Sequence, residues 1–112
     1  MRNNRSADRR NLLRYLKVFD QESGEFMGHL VNISAGGMLI VSENPVQPDI
    51  NLQLHIEMVC ERIPVKVRCA WCLEDPEIES YNIGFNLFAP EPKTDVKLKL
   101  LIQTLNTWSK IM

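Results

Sequence analysis

The sequence lacks the features that mark a membrane protein, a secreted disulfide protein or a general nucleic-acid binder. No apolar run approaches the roughly 20 residues that a transmembrane helix needs, and the N-terminus has no apolar segment typical of a signal peptide. The three cysteines are an odd number, which favours reduced thiols. The net charge of −1 argues against DNA or RNA as a partner. We therefore expect a cytoplasmic protein without membrane insertion.

The chain does contain enough apolar material for one small domain. It has 112 residues, of which 45% are hydrophobic, so a packed core is expected and global disorder is not. Residues 1–11 are polar and rich in arginine. We predict a flexible arm over residues 1–11 and a single folded domain over residues 12–112.

The charge is unevenly distributed along the chain. Residues 1–17 hold six of the 13 cations and only one of the 14 acids, Asp8. An arginine-rich arm on an acidic body favours a small anionic partner that is bound locally. The charge pattern alone leaves a second interpretation open, in which the arm is a solvated basic tail.

Alternating apolar and polar residues predict a series of short strands. The strands are expected near residues 13–20, 26–34, 38–41, 50–58, 63–71 and 81–87. In the fifth strand, the alternation places Trp71 on the same face as Val67 and Cys69. From about residue 93 the apolar period changes to three or four residues, which predicts an amphipathic helix. The predicted fold is all-β: a six-stranded antiparallel barrel with a C-terminal α-helix.

A polar turn follows the second predicted strand. Asn32 and Ser34 are two residues apart, so in a strand they point to the same face and can bind one ligand. Gly36 and Gly37 follow, and either glycine would permit a positive φ or a close approach of the backbone. Local chemistry leaves two interpretations open, a ligand site and a tight turn closed by a side-chain hydrogen bond.

Arginines cluster where the arm enters the first strand. Arg10 and Arg14 are separated by Asn11-Leu12-Leu13, and Arg9 precedes them. The guanidinium group offers planar pairs of donors that suit phosphate oxygens and the O6/N7 edge of guanine. A small anion with phosphates or a guanine base is the ligand that this cluster predicts, and a solubilising tail is the alternative.

Nothing in the sequence predicts an enzyme or a metal site. Cys69 and Cys72 form a C-x-x-C pair without a second ligand pair, and positions three apart in a strand are expected on opposite faces. His29 and His55 are isolated, and no catalytic triad or carboxylate pair can be assigned. We therefore expect no catalytic residues, no metal and no cofactor.

Taken together, these motifs resemble the PilZ domain family of bacterial cyclic di-GMP receptors. The family signature is R-x-x-x-R followed by [D/N]-x-S-x-x-G, which here matches residues 10–14 and 32–37. Residues 65–71 are similar to the family's strand ending in V-x-W or A-x-W, and residues 83–85 to its closing G-x-F strand. The resemblance covers residues 9–105. Arg5 and Arg9 also fit R-x-x-x-R and are the alternative pair.

The resemblance implies roles for individual residues. Arg10 and Arg14 would bind phosphates and guanine, Asn32 and Ser34 would contact the ligand from the barrel, and Gly36 and Gly37 would keep that face open. A basic residue at Arg9 implies two stacked ligand molecules. The implied function is that of an adaptor, as a monomer or as a homodimer, whose affinity for an unidentified protein effector changes with cyclic di-GMP. The alternative is a degenerate PilZ-like interaction module that binds no nucleotide.

Overall fold

A computed structural model describes residues 16–58 and 60–111, with side chains described as far as Leu105. It contains six strands and one helix, in the chain order β1 (Lys17–Asp20), β2 (Phe26–Ile33), β3 (Gly37–Ser42), β4 (Asn51–Glu57), β5 (Arg62–Asp75), β6 (Ser80–Leu87) and α1 (Pro92–Ile111). The predicted arm and the start of the first predicted strand lie outside the described residues.

The six strands close into an antiparallel barrel. Their order around the barrel is β1-β2-β3-β6-β5-β4, and β4 returns to pair with β1. The inward positions carry branched aliphatic side chains, which fill a small barrel well because they pack on the pleated surface. The fully buried ones include Val18, Leu30, Ile40, Leu54, Ile56, Ile63, Val67 and Ile83. The predicted all-β barrel with a C-terminal helix is confirmed.

The helix α1 covers part of the barrel. It begins at Pro92, and proline suits the first helical position because its missing N–H would be unpaired there anyway. Leu98, Leu101 and Leu105 are buried against the barrel. Lys97 forms an ion pair of 3.2 Å with Glu61, beside the start of β5. No helix among the described residues is long and apolar enough to cross a membrane.

A β-bulge divides β5 into two parts. Cys69 pairs with Phe85 and Trp71 pairs with Gly84, so Ala70 is an extra residue with no partner of its own in β6. The extra residue reverses the alternation of faces. Trp71 is therefore 42% exposed, whereas Cys69 is buried. The prediction that Trp71 shares the face of Cys69 is wrong, because an unbroken period of two cannot account for an inserted residue.

The bulge also changes the positions of the two cysteines. Cys69 is fully buried, and Cys72 is half-buried and packs against the same core. The prediction that they face opposite sides is therefore wrong for the same reason. Burial is the main cause that raises the pKa of the Cys69 thiol, and the nearby Cys72 and Asp49 raise it further. Such a thiol stays protonated and is a poor nucleophile at neutral pH.

Candidate functional site

The strand register brings distant parts of the sequence into one row on the outside of the barrel. Asn32 lies opposite Leu39, Leu39 opposite Gly84, and Gly84 opposite Trp71. Neighbouring strands are about 4.8 Å apart, so the row from Asn32 to Trp71 spans roughly 14 Å. This length suits a ligand larger than a single base. We refer to the outer surface around this row as the platform.

The platform carries a shallow pocket of about 190 Å³. Ten residues from β2, β3, β5, β6 and the β2–β3 turn line it: Asn32, Ser34, Gly37, Met38, Leu39, Ala70, Trp71, Gly84, Phe85 and Asn86. The lining combines amide and hydroxyl groups with one exposed indole ring. Such a set can hydrogen-bond the edge of a base or a phosphate at one end and stack on a base at the other.

The polar end of the platform is the turn between β2 and β3. The Ser34 N–H donates to the carbonyl oxygen of Gly37 at 2.8 Å, and the Ser34 hydroxyl lies 3.4 Å from the same oxygen. The Asn32 and Ser34 side chains are both exposed. Among the described residues, the Asn32 amide has no side-chain hydrogen bond, so it is available to a ligand. Asn32, Ser34 and Gly37 therefore lie together, as the sequence predicts.

The two glycines of this turn have different roles. The only glycine with a positive φ among the described residues is Gly24, at +77°, so a positive φ at Gly36 or Gly37 is not what the turn requires. At Gly37 the reason is close packing, because a Cβ atom there would lie 2.8 Å from the carbonyl oxygen of Phe85. At Gly36 a Cβ atom would meet nothing within 4 Å. Gly36 lies at the exposed tip of the turn, and its carbonyl accepts from the Leu87 N–H at 3.0 Å.

The apolar end of the platform is Trp71, which sequence reasoning did not place in the site. The indole ring packs directly against Gly84. A Cβ atom at residue 84 would lie 2.4–2.7 Å from three atoms of the ring. Gly84 thus makes room for the ring, and the bulge at Ala70 turns it outwards. The resemblance of residues 65–71, which end in Cys69-Ala70-Trp71, was the available signal. It identified the strand but not the bulge that exposes the ring.

A cation borders the platform. Arg68 lies opposite Asn86, one of the pocket residues, and 48% of its side chain is exposed. Its guanidinium nitrogen is 3.6 Å from the Asp49 carboxylate. Asp49 is 80% exposed, so this ion pair is largely solvated and contributes roughly 0–1 kcal/mol. Arg68 can therefore exchange Asp49 for an anionic ligand at little cost.

Arg9, Arg10 and Arg14 lie outside the described residues, as does Arg5. The chain enters the described part at Leu16, whose carbonyl oxygen accepts from the Leu30 N–H at 3.0 Å. Leu30 is two residues before Asn32 on β2. The described part of the chain therefore begins beside β2, the strand that carries Asn32.

Within the described residues, no group of three or more histidine, cysteine or acidic side chains could hold a metal ion. Cys69 and Cys72 lie on β5, and their side chains pack against the core. The platform has the composition of a binding surface, with exposed amide and hydroxyl groups beside an exposed indole ring.

Comparison with known proteins identifies the family of the chain. The chain matches the model of the PilZ domain over residues 3–104. The solved structure of the Bacillus subtilis inhibitor of motility, MotI/DgrA, is similar with a TM-score of 0.64 and 22% sequence identity. The similar region covers 82% of this chain and 47% of that one, so this chain spans about half of its length. A comparison with curated proteins gave no match.

PilZ domains are binding modules found among cyclic di-GMP receptors and adaptors. The MotI/DgrA structure supports the fold, and the family match covers most of the sequence, including both arginine pairs and the turn at Asn32. On that match, this chain belongs to the PilZ domain family.

Proposed function

We propose that the chain is a cytoplasmic receptor for cyclic di-GMP that acts as an adaptor and not as an enzyme. The observation that carries the proposal is the platform, where the exposed Asn32 and Ser34 face the same surface as the exposed ring of Trp71. Family membership supports the ligand class. The platform supports a particular placement of that ligand on the barrel.

Each part of the ligand has a partner on the platform or among the arginines that precede β1 in the sequence. A guanine base stacks on Trp71, since base–aromatic stacking contributes roughly 1–3 kcal/mol per base. Asn32 and Ser34 donate and accept hydrogen bonds at the edge of a base or at a phosphate. Arg10 and Arg14 supply charge-assisted hydrogen bonds to phosphate oxygens and guanine, each worth roughly 1.5–3 kcal/mol. Gly36 and Gly37 keep the turn free of side chains.

We further propose that two stacked ligand molecules bind, because Arg9 adds a third guanidinium group directly before the pair at residues 10 and 14. A single cyclic di-GMP carries two phosphates, which the pair alone can neutralise. Calorimetric stoichiometry tests this part. Two ligands per chain, reduced to one by Arg9→Leu, support it, and a one-to-one complex in the unaltered chain contradicts it.

The output of such a module is a change of its own surface. When the arm and the platform together hold the nucleotide, the surface around Trp71 and the β2–β3 turn changes its shape and charge. A protein effector that contacts this surface then gains or loses affinity. No cofactor is needed for this function, and the nucleotide is the ligand that is sensed.

The test is a calorimetric titration of single variants with cyclic di-GMP. Arg14→Ala removes charge-assisted bonds of about 2–3 kcal/mol, so affinity should fall about 30–150-fold. Arg10→Ala should weaken binding in the same direction. The matched control is Arg62→Ala, which removes an equally charged exposed side chain from the start of β5 and should leave affinity unchanged.

The outcomes separate the proposals. If the full chain does not bind cyclic di-GMP, the degenerate interaction module is the correct interpretation. If it binds but neither Arg10→Ala nor Arg14→Ala weakens binding, the pair Arg5 and Arg9 is tested next by the same substitution. Equal affinity for cyclic di-AMP would contradict recognition of guanine.

A further inference from the structure

The strand β5 extends beyond its neighbour β4. It runs for 14 residues, Arg62–Asp75, but pairs with β4 only over residues 62–68. Its other side pairs with β6 as far as Asp75. The segment Ala70–Asp75 therefore has a strand on one side alone among the described residues. We call its other side the β5 edge.

The backbone of the β5 edge is open to an added strand. The last backbone bonds on the side of β4 are those of Cys69, whose N–H donates to Ile50 at 2.9 Å and whose carbonyl accepts from Asp49 at 2.8 Å. Beyond Cys69, the described part of the chain supplies no strand partner on this side. Alternate N–H and C=O groups of an edge strand point outwards, and they are a template for another extended segment.

The side chains at the β5 edge are apolar where the backbone is open. Leu73 is 63% exposed, the largest exposed fraction of any large hydrophobic side chain among the described residues, and Trp71 is 42% exposed. These residues are two apart and lie on the outer face of β5. A strand added at the edge would bring its own side chains to about 5 Å from theirs, within packing distance.

The negative charge around the β5 edge favours a positively charged partner. Residues 69–92 contain five acids and no lysine or arginine. Four of these acids lie at or beside the end of the edge: Glu74, Asp75, Glu77 and Glu79. A second copy of this edge would bring the same acids with it. An extended segment that alternates apolar and basic residues complements both the apolar face and the charge.

We propose that the β5 edge is a docking site for an extended, positively charged segment of a partner protein, which pairs with Ala70–Asp75 as an added strand. Apolar side chains of the segment pack on Trp71 and Leu73, and its lysines or arginines, on the opposite face of the sheet, lie beside Glu74. This inference stands without nucleotide binding. Since Trp71 belongs to both the platform and the edge, a ligand on the platform would border the docked segment.

The first experiment uses the full chain and a fluorescent probe peptide, eight residues of alternating lysine and valine with blocked ends. Peptide binding should protect alternate amides of Ala70–Asp75 from hydrogen exchange. The control peptide has the same sequence with N-methyl groups on every second residue, which remove the donors of one strand edge. Equal binding of both peptides overturns the proposal. Protection of these amides in the free chain also overturns it, because the edge is then already occupied by the N-terminal segment or a second copy.

The second experiment reverses charge in the chain. Glu74→Lys should weaken probe binding about two- to fivefold, the range of a cross-strand ion pair, and a glutamate–valine peptide should bind worse than the lysine–valine one. Glu22→Lys is the control, since it makes the same charge change in the turn after β1. Equal loss in both variants contradicts docking at the edge. Both measurements are made without nucleotide, so their results can be interpreted even if the chain does not bind cyclic di-GMP.

Discussion

The contact between Trp71 and Gly84 can be tested by adding a single methyl group. In Gly84→Ala the new Cβ would lie 2.4–2.7 Å from three atoms of the indole ring, so the ring must move away. Slightly more than half of Trp71 is buried, which corresponds to roughly 90–140 Å² of aromatic surface. At about 25 cal/mol per Å², displacing the ring entirely removes at most about 2–3.5 kcal/mol of stability.

The assay is a double-mutant cycle of urea unfolding on the unaltered chain, Gly84→Ala, Trp71→Ala and the double variant. When Trp71 is already alanine, the methyl group at residue 84 enters emptied space. Alanine is also favoured over glycine inside a strand by about 0.5–1 kcal/mol, so the second substitution should then be neutral or stabilising. We expect a coupling energy of at least about 1.5 kcal/mol. Effects that add within about 0.5 kcal/mol would refute the contact.

Three further results are expected. Gly28→Ala should destabilise the barrel more than Gly84→Ala, because its Cβ would lie 2.3 Å from the backbone oxygen of Val41, which only a shift of β3 can relieve; equal melting temperatures would contradict this. Burial raises the pKa of the Cys69 thiol in the folded chain above its value of about 8.5 in the unfolded chain. The stability that the protonated thiol contributes is therefore complete below pH 8.5 and is lost as the pH rises towards the folded pKa. The unfolding free energy should therefore fall more steeply above pH 8.5 in the unaltered chain than in Cys69→Ala, and parallel pH curves would refute it. Exposed Cys60 should react with a thiol reagent well before Cys69 does, and an equal rate would show that Cys69 is not buried.

Most of the strands were predictable from the sequence because they carry apolar side chains at alternating positions. The alternation in β4 continues without a break, and its register with β5 follows the same period. Asn32, Ser34 and Gly37 were predictable as one cluster, since they share a short hairpin. The helix was also predictable, from the change of period after residue 92.

The bulge at Ala70 was not predictable from the alternation alone. Small residues are common at many strand positions, and the extra residue is detected only when Trp71 is found opposite Gly84. The position of Trp71 in the site therefore depends on a long-range pairing between β5 and β6. The close packing of Gly37 on Phe85 is likewise a contact between strands that are far apart in the sequence.

The most direct test of the account is a map of backbone amide shifts on addition of cyclic di-GMP. The account predicts that the largest changes fall on the platform, at Asn32, Ser34, Gly37, Trp71 and Gly84, with cyclic di-AMP giving much smaller ones. Another pocket, of about 250 Å³, lies between the barrel and the start of α1 and is lined in part by Gln53, Lys66 and Phe88. If the largest changes fall on those residues while the platform is unaffected, the nucleotide does not bind where we have placed it.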